Sequence, residues 1–297
     1  MTCDLTLFVN PTAGRGRGAR AAQPAARVLR AAGFGVRTVL GLDAADALRR
    51  ARAAVAQGTG ALIAVGGDGM TSLALQAVAG TGTPLGVVAV GTGNDFARAA
   101  GLPVRDPAAA AHRIAEALKG EGAREVDLGR AGDTWFGTVL AAGFDSRVND
   151  RGNRMRWPTG RLRYDLAIVA ELAAFRTTPF RVRFDDGPEQ LIDATLIAVG
   201  NTGSYGGGMR ICAGARYDDG VFDVTVVGRC SRTTLLRVFP RVYRGTHLSH
   251  PAVTVHRVRS LTLAADGITG YADGEAVGPL PLTVRTVPGA LRLLGAA

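Results

Sequence analysis

An α/β domain with a mostly parallel sheet, followed by an antiparallel β-sandwich, is the fold class this sequence predicts. From Asp4 to about Gly101 the chain repeats a short apolar run, a glycine turn and an alanine-rich helical stretch, and strands alternating with helices imply parallel crossovers. Beyond the breaker Gly120-Glu121-Gly122 the texture changes to β-rich alternation, which suits antiparallel layers. The domain boundary is expected near Gly122, giving domains 1–122 and 123–288. The last apolar run, Ala290 to Leu294, could return to either one.

In the first part, strands are expected at Thr6 to Val9, Gly35 to Leu40, Ala61 to Val65 and Leu85 to Val90, with a helix over Pro107 to Lys119. In the second, the expected strands are Trp135 to Ala141, Phe180 to Phe184, Ala194 to Val199, Val221 to Val227, Val253 to Val258 and Leu282 to Val287. Two helices are expected there, Leu162 to Phe175 and Thr233 to Tyr243. Trp135 reads as a core side chain.

The glycine turns carry the chemistry. Asn10-Pro11-Thr12-Ala13-Gly14-Arg15-Gly16-Arg17-Gly18 lies between the first strand and the first helix. Successive glycines there let amides point inward as an anion nest, backed by a helix N-terminus. The same residues also read Gly14-x-Gly16-x-x-Ala19, a dinucleotide fingerprint. Gly66-Gly67-Asp68-Gly69 and Gly91-Thr92-Gly93-Asn94-Asp95 each end an apolar run, at the edge of a parallel sheet where ligands bind. Carboxylates at two neighbouring strand ends can hold a hydrated magnesium between them.

The second part contributes three polar, glycine-laden breaks: Asn201 to Gly208, Asp218 to Asp223, and Tyr271-Ala272-Asp273-Gly274-Glu275. These suggest one shared rim. Asp273 and Glu275 alternate in what reads as an extended segment, so both are expected to face a cleft, one as base and the other positioning it.

Composition narrows the field. The 297 residues are 47% apolar, enough for a real core, and the net charge of +10 favours polyanionic surfaces. Lys119 is the only lysine, and it lies outside every glycine cluster. P-loop enzymes need a lysine in the glycine loop and protein kinases need one on a strand, so both are excluded. Phosphate binding must then rely on amides, arginine, a cation and hydroxyls such as Thr12, Thr71 and Thr92.

Cys3, Cys212 and Cys230 stand too far apart in sequence to suggest a disulfide framework or a cysteine metal site, which fits a reducing cytoplasm. No signal peptide is visible, since Asp4 falls where a basic region should be. The uncharged stretch Gly69 to Asn94 is divided by Gly80-Thr81-Gly82-Thr83-Pro84, so no membrane span is expected. His247 and His250 lie beside Pro251 in an expected loop without matching carboxylates, which argues against a histidine metal site.

Taken together, Asn10-Pro11 with Gly14, Gly66 to Gly69, Gly91 to Arg98, Asp127-Leu128-Gly129, Asp219 to Asp223 and Asp273-Gly274-Glu275 resemble, in order and spacing, the soluble diacylglycerol kinase and lipid kinase family. The resemblance covers nearly the whole chain. It implies a nucleotide-binding α/β domain joined to a β-sandwich, with ATP between them. It puts ATP on Asn10, Pro11, Thr12, Ala13, Gly14, Thr38, Gly66, Gly67, Asp68, Gly69, Met70, Thr71, Ser72 and Thr92. Glu275 would be the proton acceptor with Asp273 beside it, and Asp68, Asp95 and Asp127 would form a water-mediated Mg2+ network. A structural Mg2+ would take the Asp219 carboxylate and the carbonyls of Arg216 and Val221. Met70 departs from the family's usual threonine and loses a hydroxyl near the phosphates.

The expected partners are a membrane lipid substrate, most readily diacylglycerol, and an anionic membrane surface, with no nucleic acid and room for a homodimer. The expected location is cytoplasmic, peripheral to the membrane. Arg147 to Arg163, with six arginines, Met155 and Trp157 against Asp150, could dock on anionic headgroups. Within the same chemistry the acceptor could instead be a sphingoid base, another glycerolipid or NAD. Two readings stand further off: a Rossmann-type oxidoreductase with Asp43 as the ribose acid, and a non-enzymatic binder of anionic lipid or nucleic acid.

Overall fold

The computed structural model describes residues 4–9, 17–120, 122–155, 157, 166–167, 170–171 and 177–296. The chain forms two compact units. The first comprises Met1–Leu128, Tyr217–Asp219 and Val287–Ala297, and the second Gly129–Arg216 and Gly220–Thr286. The first unit thus runs past Gly122 to Leu128, partway along strand β5 (Ala123–Ala131). It also takes in a short excursion that sequence texture did not mark. The Asp127 amide donates to the Tyr217 carbonyl at 2.7 Å, and Arg124 pairs with Asp218 at 2.8 Å.

The first unit is a parallel sheet in the order β4 (Leu85–Ala89), β3 (Ala61–Gly66), β1 (Asp4–Val9), β2 (Gly35–Leu40). The end of β15 (Leu282–Leu294) lies parallel to β4, with Leu293 opposite Leu85. Buried on both faces, β3 is apolar throughout, as central parallel strands are. Alternation along β1 sends Leu5, Leu7 and Val9 to one side. There they pack with Ala25 and Leu29 of α1 (Arg17–Ala31) and Ile114 of α5 (Pro107–Lys119). Helices α2 (Ala44–Ala56) and α3 (Asp68–Val78) pack against each other and against β3. The short helix α4 (Asp95–Ala99) was not anticipated from sequence.

In the second unit, β7 (Val139–Gly143), β9 (Glu189–Gly200) and β10 (Phe222–Gly228) pair antiparallel, with β11 (Val253–Val258) beyond β10. Strands β8 (Thr178–Phe184) and β12 (Ser260–Ala264) continue the antiparallel pairing to β15. Both faces of the β7–β9–β10 layer are buried. Leu140, Ile197 and Val199 face a core shared with Phe180, Leu263 and Val284, while Val139, Ala141 and Ala198 face a second one with Ile211, Cys212 and Val242. This is the sandwich-like arrangement expected from period-two patterning.

Some elements differ from expectation. The single strand expected over Trp135 to Ala141 is two, β6 (Thr134–Phe136) and β7, broken at Gly137-Thr138. Trp135 is half-buried beneath the Arg130 guanidinium, 5.1 Å from its ring, rather than in the core. Helix α6 (Phe144–Arg154) is polar enough to have escaped a periodicity search. The helix expected over Leu162 to Phe175 lies largely outside the described residues. Helix α7 (Arg232–Val242) is present, and β13 (Thr269–Ala272) and β14 (Glu275–Pro279) form a hairpin.

Candidate active-site residues

In the first unit the two glycine turns interlock. The Val90 amide donates to the Gly66 carbonyl at 2.8 Å, bringing the ends of β3 and β4 level. The backbones then touch: a Cβ on Gly91 would meet the Gly67 Cα at 2.5 Å, so only glycine fits. The Asp68 carboxylate reaches across to the other turn and accepts the Asn94 amide on Oδ2 and the Asp95 amide on Oδ1, both at 2.8 Å. Asn94 itself sits at φ +56, and its side chain clamps Gly91, accepting its amide at 2.8 Å and donating to its carbonyl at 3.0 Å. One carboxylate thus ties together two segments 26 residues apart.

Helix α3 starts immediately after this junction, with Gly67 as N-cap and no side-chain cap. Its first amides and dipole are therefore available to an anion. Thr71 is buried and its hydroxyl donates to the Gly67 carbonyl at 3.4 Å, while Gly69 and Thr92 are exposed and Ser72 half-buried. The Met70 side chain is packed in the core against Gly66, where an added Cβ would meet its Cγ at 2.5 Å. Any contact of Met70 with a ligand would not come from that side chain. Thr38 is exposed on the edge strand β2, opposite Leu7. Asn10, Pro11, Thr12, Ala13 and Gly14 lie outside the described residues. Asp43 caps helix α2 by accepting the Asp46 amide at 2.8 Å, which accounts for the carboxylate a ribose-binding reading required.

The expected metal residues fall into separate places. Asp68 and Asp95 converge on Gly93, where an added Cβ would lie 2.6 Å from Asp68 Oδ2 and 3.3 Å from Asp95 Oδ2. Asp127, also buried, accepts the Gly289 amide at 2.9 Å. Arg216, Asp219 and Val221 belong to a turn with Gly220 at φ +73, next to the Tyr217 carbonyl that receives the Asp127 amide. Among the described residues no three His, Cys, Asp or Glu side chains gather as a metal-ligand group. Two adjacent carboxylates fit a cation that keeps most of its water shell, which is how magnesium usually binds. They do not fit a bare, fully protein-ligated ion.

In the second unit, the expected alternation of Asp273 and Glu275 in an extended segment does not hold. Ala272 pairs with Glu275, and the two residues between them, Asp273 at φ +52 and Gly274 at φ +86, make the tight turn of the β13–β14 hairpin. Positive φ at both central positions is what a type I′ turn requires. The Asp273 carboxylate accepts the Gly137 and Thr138 amides, each at 2.8 Å, together with the Thr138 hydroxyl. From the other side, Asn201 donates to the Gly137 carbonyl at 3.0 Å, and the Asn201 and Thr202 amides donate to the Thr138 carbonyl. Two of the three expected breaks therefore meet at Gly137-Thr138, while the third, Asp218 to Asp223, is divided, with Asp218 and Asp219 in the first unit and Gly220 to Asp223 in the second. Gly137-Thr138 was missed from sequence. Its signal was a small polar pair inside an apolar run. Glu275 is exposed at the start of β14.

Two models of known families match: residues 4–131 match the diacylglycerol kinase catalytic domain, and residues 138–295 the YegS C-terminal NAD kinase beta sandwich-like domain. A diacylglycerol kinase of Mycobacterium tuberculosis is 45% identical over 98% of this chain and 94% of its own length. The chain belongs to the diacylglycerol kinase family. A probable YegS-like lipid kinase of Xanthomonas axonopodis is 33% identical over 84% of this chain and 82% of its own. Among solved structures, a putative diacylglycerol kinase from Bacillus anthracis superposes with a TM-score of 0.78 at 20% identity, covering 98% and 96% of the two chains. An NAD kinase from Archaeoglobus fulgidus in complex with ATP superposes with a TM-score of 0.55 at 13% identity, covering 97% and 93%. Both neighbours share the fold. Membership makes the protein a kinase of the lipid kinase group, and no described helix is long and apolar enough to cross a membrane.

Of the arginine-rich stretch from Arg147 to Arg163, two members are held internally. Arg147 donates to the Thr178 hydroxyl, and Arg151 pairs with the buried Glu171 at 2.6 Å. Arg154 and Trp157 are exposed, and Arg156, Arg161 and Arg163 lie outside the described residues.

Proposed function

We propose that this protein transfers the γ-phosphoryl group of ATP to a lipid hydroxyl, with diacylglycerol as acceptor and phosphatidic acid as product. The observation that carries the reading is the interlocked pair of glycine turns, which leaves the uncapped N-terminus of α3 beside two carboxylates in a protein of the diacylglycerol kinase family. The amides of Gly67 to Gly69 would hold phosphate oxygens, with the exposed Thr92 hydroxyl next to them. Magnesium, held through water by Asp68 and Asp95, would supply neutralisation of the charge spreading over the transferred group.

The acceptor hydroxyl attacks the γ-phosphorus, the bond from that phosphorus to the bridging oxygen of ADP breaks, and the hydroxyl proton passes to the Glu275 carboxylate. Glu275 suits that task because it stands in solvent at the hairpin's end, with the turn behind it held rigid by Asp273. Asp273 acts by positioning rather than by taking the proton. The exposed Arg154 and Trp157 would bring the second unit to an anionic headgroup layer, placing the enzyme at the membrane periphery.

Incubation with labelled ATP, magnesium and an acceptor panel of diacylglycerol, sphingosine and NAD tests this. Label is expected in phosphatidic acid. Label in NAD or sphingosine alone overturns the acceptor, and label in none overturns the phosphotransfer. Glu275→Gln is expected to lower turnover at least about a hundredfold with nucleotide affinity unchanged.

A further inference from the structure

The described residues include eight exposed large apolar side chains; three of them, Trp157, Leu166 and Leu236, are chain neighbours of residues in one cluster between α6 and α7, and a fourth, Tyr243, ends α7. Trp157 is 82% exposed, Leu236 55% and Tyr243 45%. Their chain neighbours explain the grouping. Met155 and Leu235 rest on one apolar cluster of Phe144, Val148 and Ala167, so Trp157, Leu166 and Leu236 all rise from its margin.

Helix α7 is amphipathic in a particular sense. Val238 and Val242 are buried, whereas Leu236 and Tyr243, seven residues apart and hence on one helix face, point outward. Arg232 is exposed on that face, Arg237 and Arg244 are exposed at its edge, each one position on from Leu236 and Tyr243, and no acid occurs between Cys230 and Gly245. Two acids on the neighbouring segments are engaged internally: Asp150 accepts the Tyr271 hydroxyl, and Glu171 pairs with Arg151. The charged side chains of α7 and its flanks, around the exposed Leu236 and Tyr243, are therefore all cationic.

We infer that the outer face of helix α7, with Trp157 beside it, is a docking surface for an anionic lipid bilayer, Leu236 and Tyr243 entering the interface while Arg232, Arg237 and Arg244 meet headgroup phosphates. A helix with arginines flanking exposed leucine and tyrosine is suited to lie in that plane. A protein partner would ordinarily supply acids matched one by one, but a continuous anionic sheet needs only this coarse complementarity. The surface is also tied to chemistry within the same unit. Tyr271, two residues before the Asp273 turn, bonds to α6 through Asp150, so the docking face and the hairpin carrying Glu275 are braced together. The inference deepens the lipid kinase reading by naming the surface through which that substrate is reached.

The test is co-sedimentation without nucleotide, using vesicles of phosphatidylcholine alone or mixed equally with phosphatidylglycerol. The wild type should bind the mixed vesicles at least about tenfold more tightly, and the preference should shrink as salt is raised. Leu236→Ser with Tyr243→Ser should weaken that binding at least about tenfold, whereas Leu191→Ser, more exposed but on β9, should not. The triple change of Arg232, Arg237 and Arg244 to Gln should remove the salt dependence, and it carries the test should the serine pair lower the melting temperature. Equal binding to both vesicles, wild-type binding by these variants, or a dimer that the serine pair dissociates without touching vesicle binding would each overturn the inference. Because the readout needs no phosphoryl transfer, vesicle binding without lipid phosphorylation upholds the surface and removes the kinase reading. Phosphorylation of detergent-dispersed diacylglycerol without vesicle binding does the reverse.

Discussion

Replacing Asp68 by Asn separates a structural carboxylate from a purely chemical one. In the native junction each Asp68 oxygen accepts one backbone amide at 2.8 Å, from Asn94 and Asp95. Asparagine keeps one acceptor oxygen and turns an NH2 group toward the other amide. The loss is one charge-assisted hydrogen bond, worth about 1.5–3 kcal/mol, together with poorer solvation of the amide left facing a donor. We expect a destabilisation of about 2–4 kcal/mol, which for a chain of this size lowers the calorimetric midpoint by roughly 3–6 °C. The turn carrying Gly91 to Asp95 would loosen with it, so nucleotide affinity should fall as well as turnover. Scanning calorimetry and nucleotide titration on the same preparation provide the assay. If Asp68→Asn melts within about 0.5 kcal/mol of the wild type while phosphoryl transfer falls a hundredfold, the clamp contributes nothing and the carboxylate acts only on bound ligand.

Gly91→Ala drives a Cβ into the Gly67 backbone at 2.5 Å, where no flexible side chain can yield, and should cost about 1–3 kcal/mol in a urea titration; a wild-type midpoint would refute the close approach. Asp273→Ala frees the Gly137 and Thr138 amides and should destabilise the protein by about 2–4 kcal/mol, whereas Glu275→Gln on the adjacent exposed position should leave the midpoint unchanged. Equal effects of the two would contradict the division of labour within the hairpin. His247 is buried with Nε2 against the Ile211 carbonyl at 3.0 Å, and burial pushes its pKa down. The unfolded chain then takes up a proton that the folded one refuses. The stability present above the ordinary histidine pKa should decline as pH falls from there toward the lowered value, by at most about 1.4 kcal/mol per pH unit. His247→Gln should flatten that acid limb in melts between pH 8 and 5, and an unaltered slope would assign it to other groups.

The alternation of apolar runs with glycine turns before Gly122, and the period-two texture after it, were enough to read the fold class. Both are local signals set by side-chain spacing. The strand ends at Gly66 and Val90 were legible for the same reason, since an apolar run closed by glycines is a strand opening into a turn. Helices α4 and α6 were not, being short or polar with no apolar stripe to betray them. Trp135 to Ala141 read as one strand because nothing nearby in sequence says that Gly137-Thr138 is gripped by Asp273, some 135 residues further on.

The candidate site divides along the same line. Sequence alone named Asp68, Asp95, Asp273 and Glu275, because carboxylates beside glycines at strand ends are local patterns. It could not say which of them are occupied within the protein. That Asp68 binds the turn at Asn94 and Asp95, and that Asp273 binds Gly137 and Thr138, are hydrogen bonds between distant segments. They exist only once β3 lies beside β4 and β13 beside β7. Residue type decides which groups can accept a proton or an amide, and only the packing of strands decides which amides are there to be accepted.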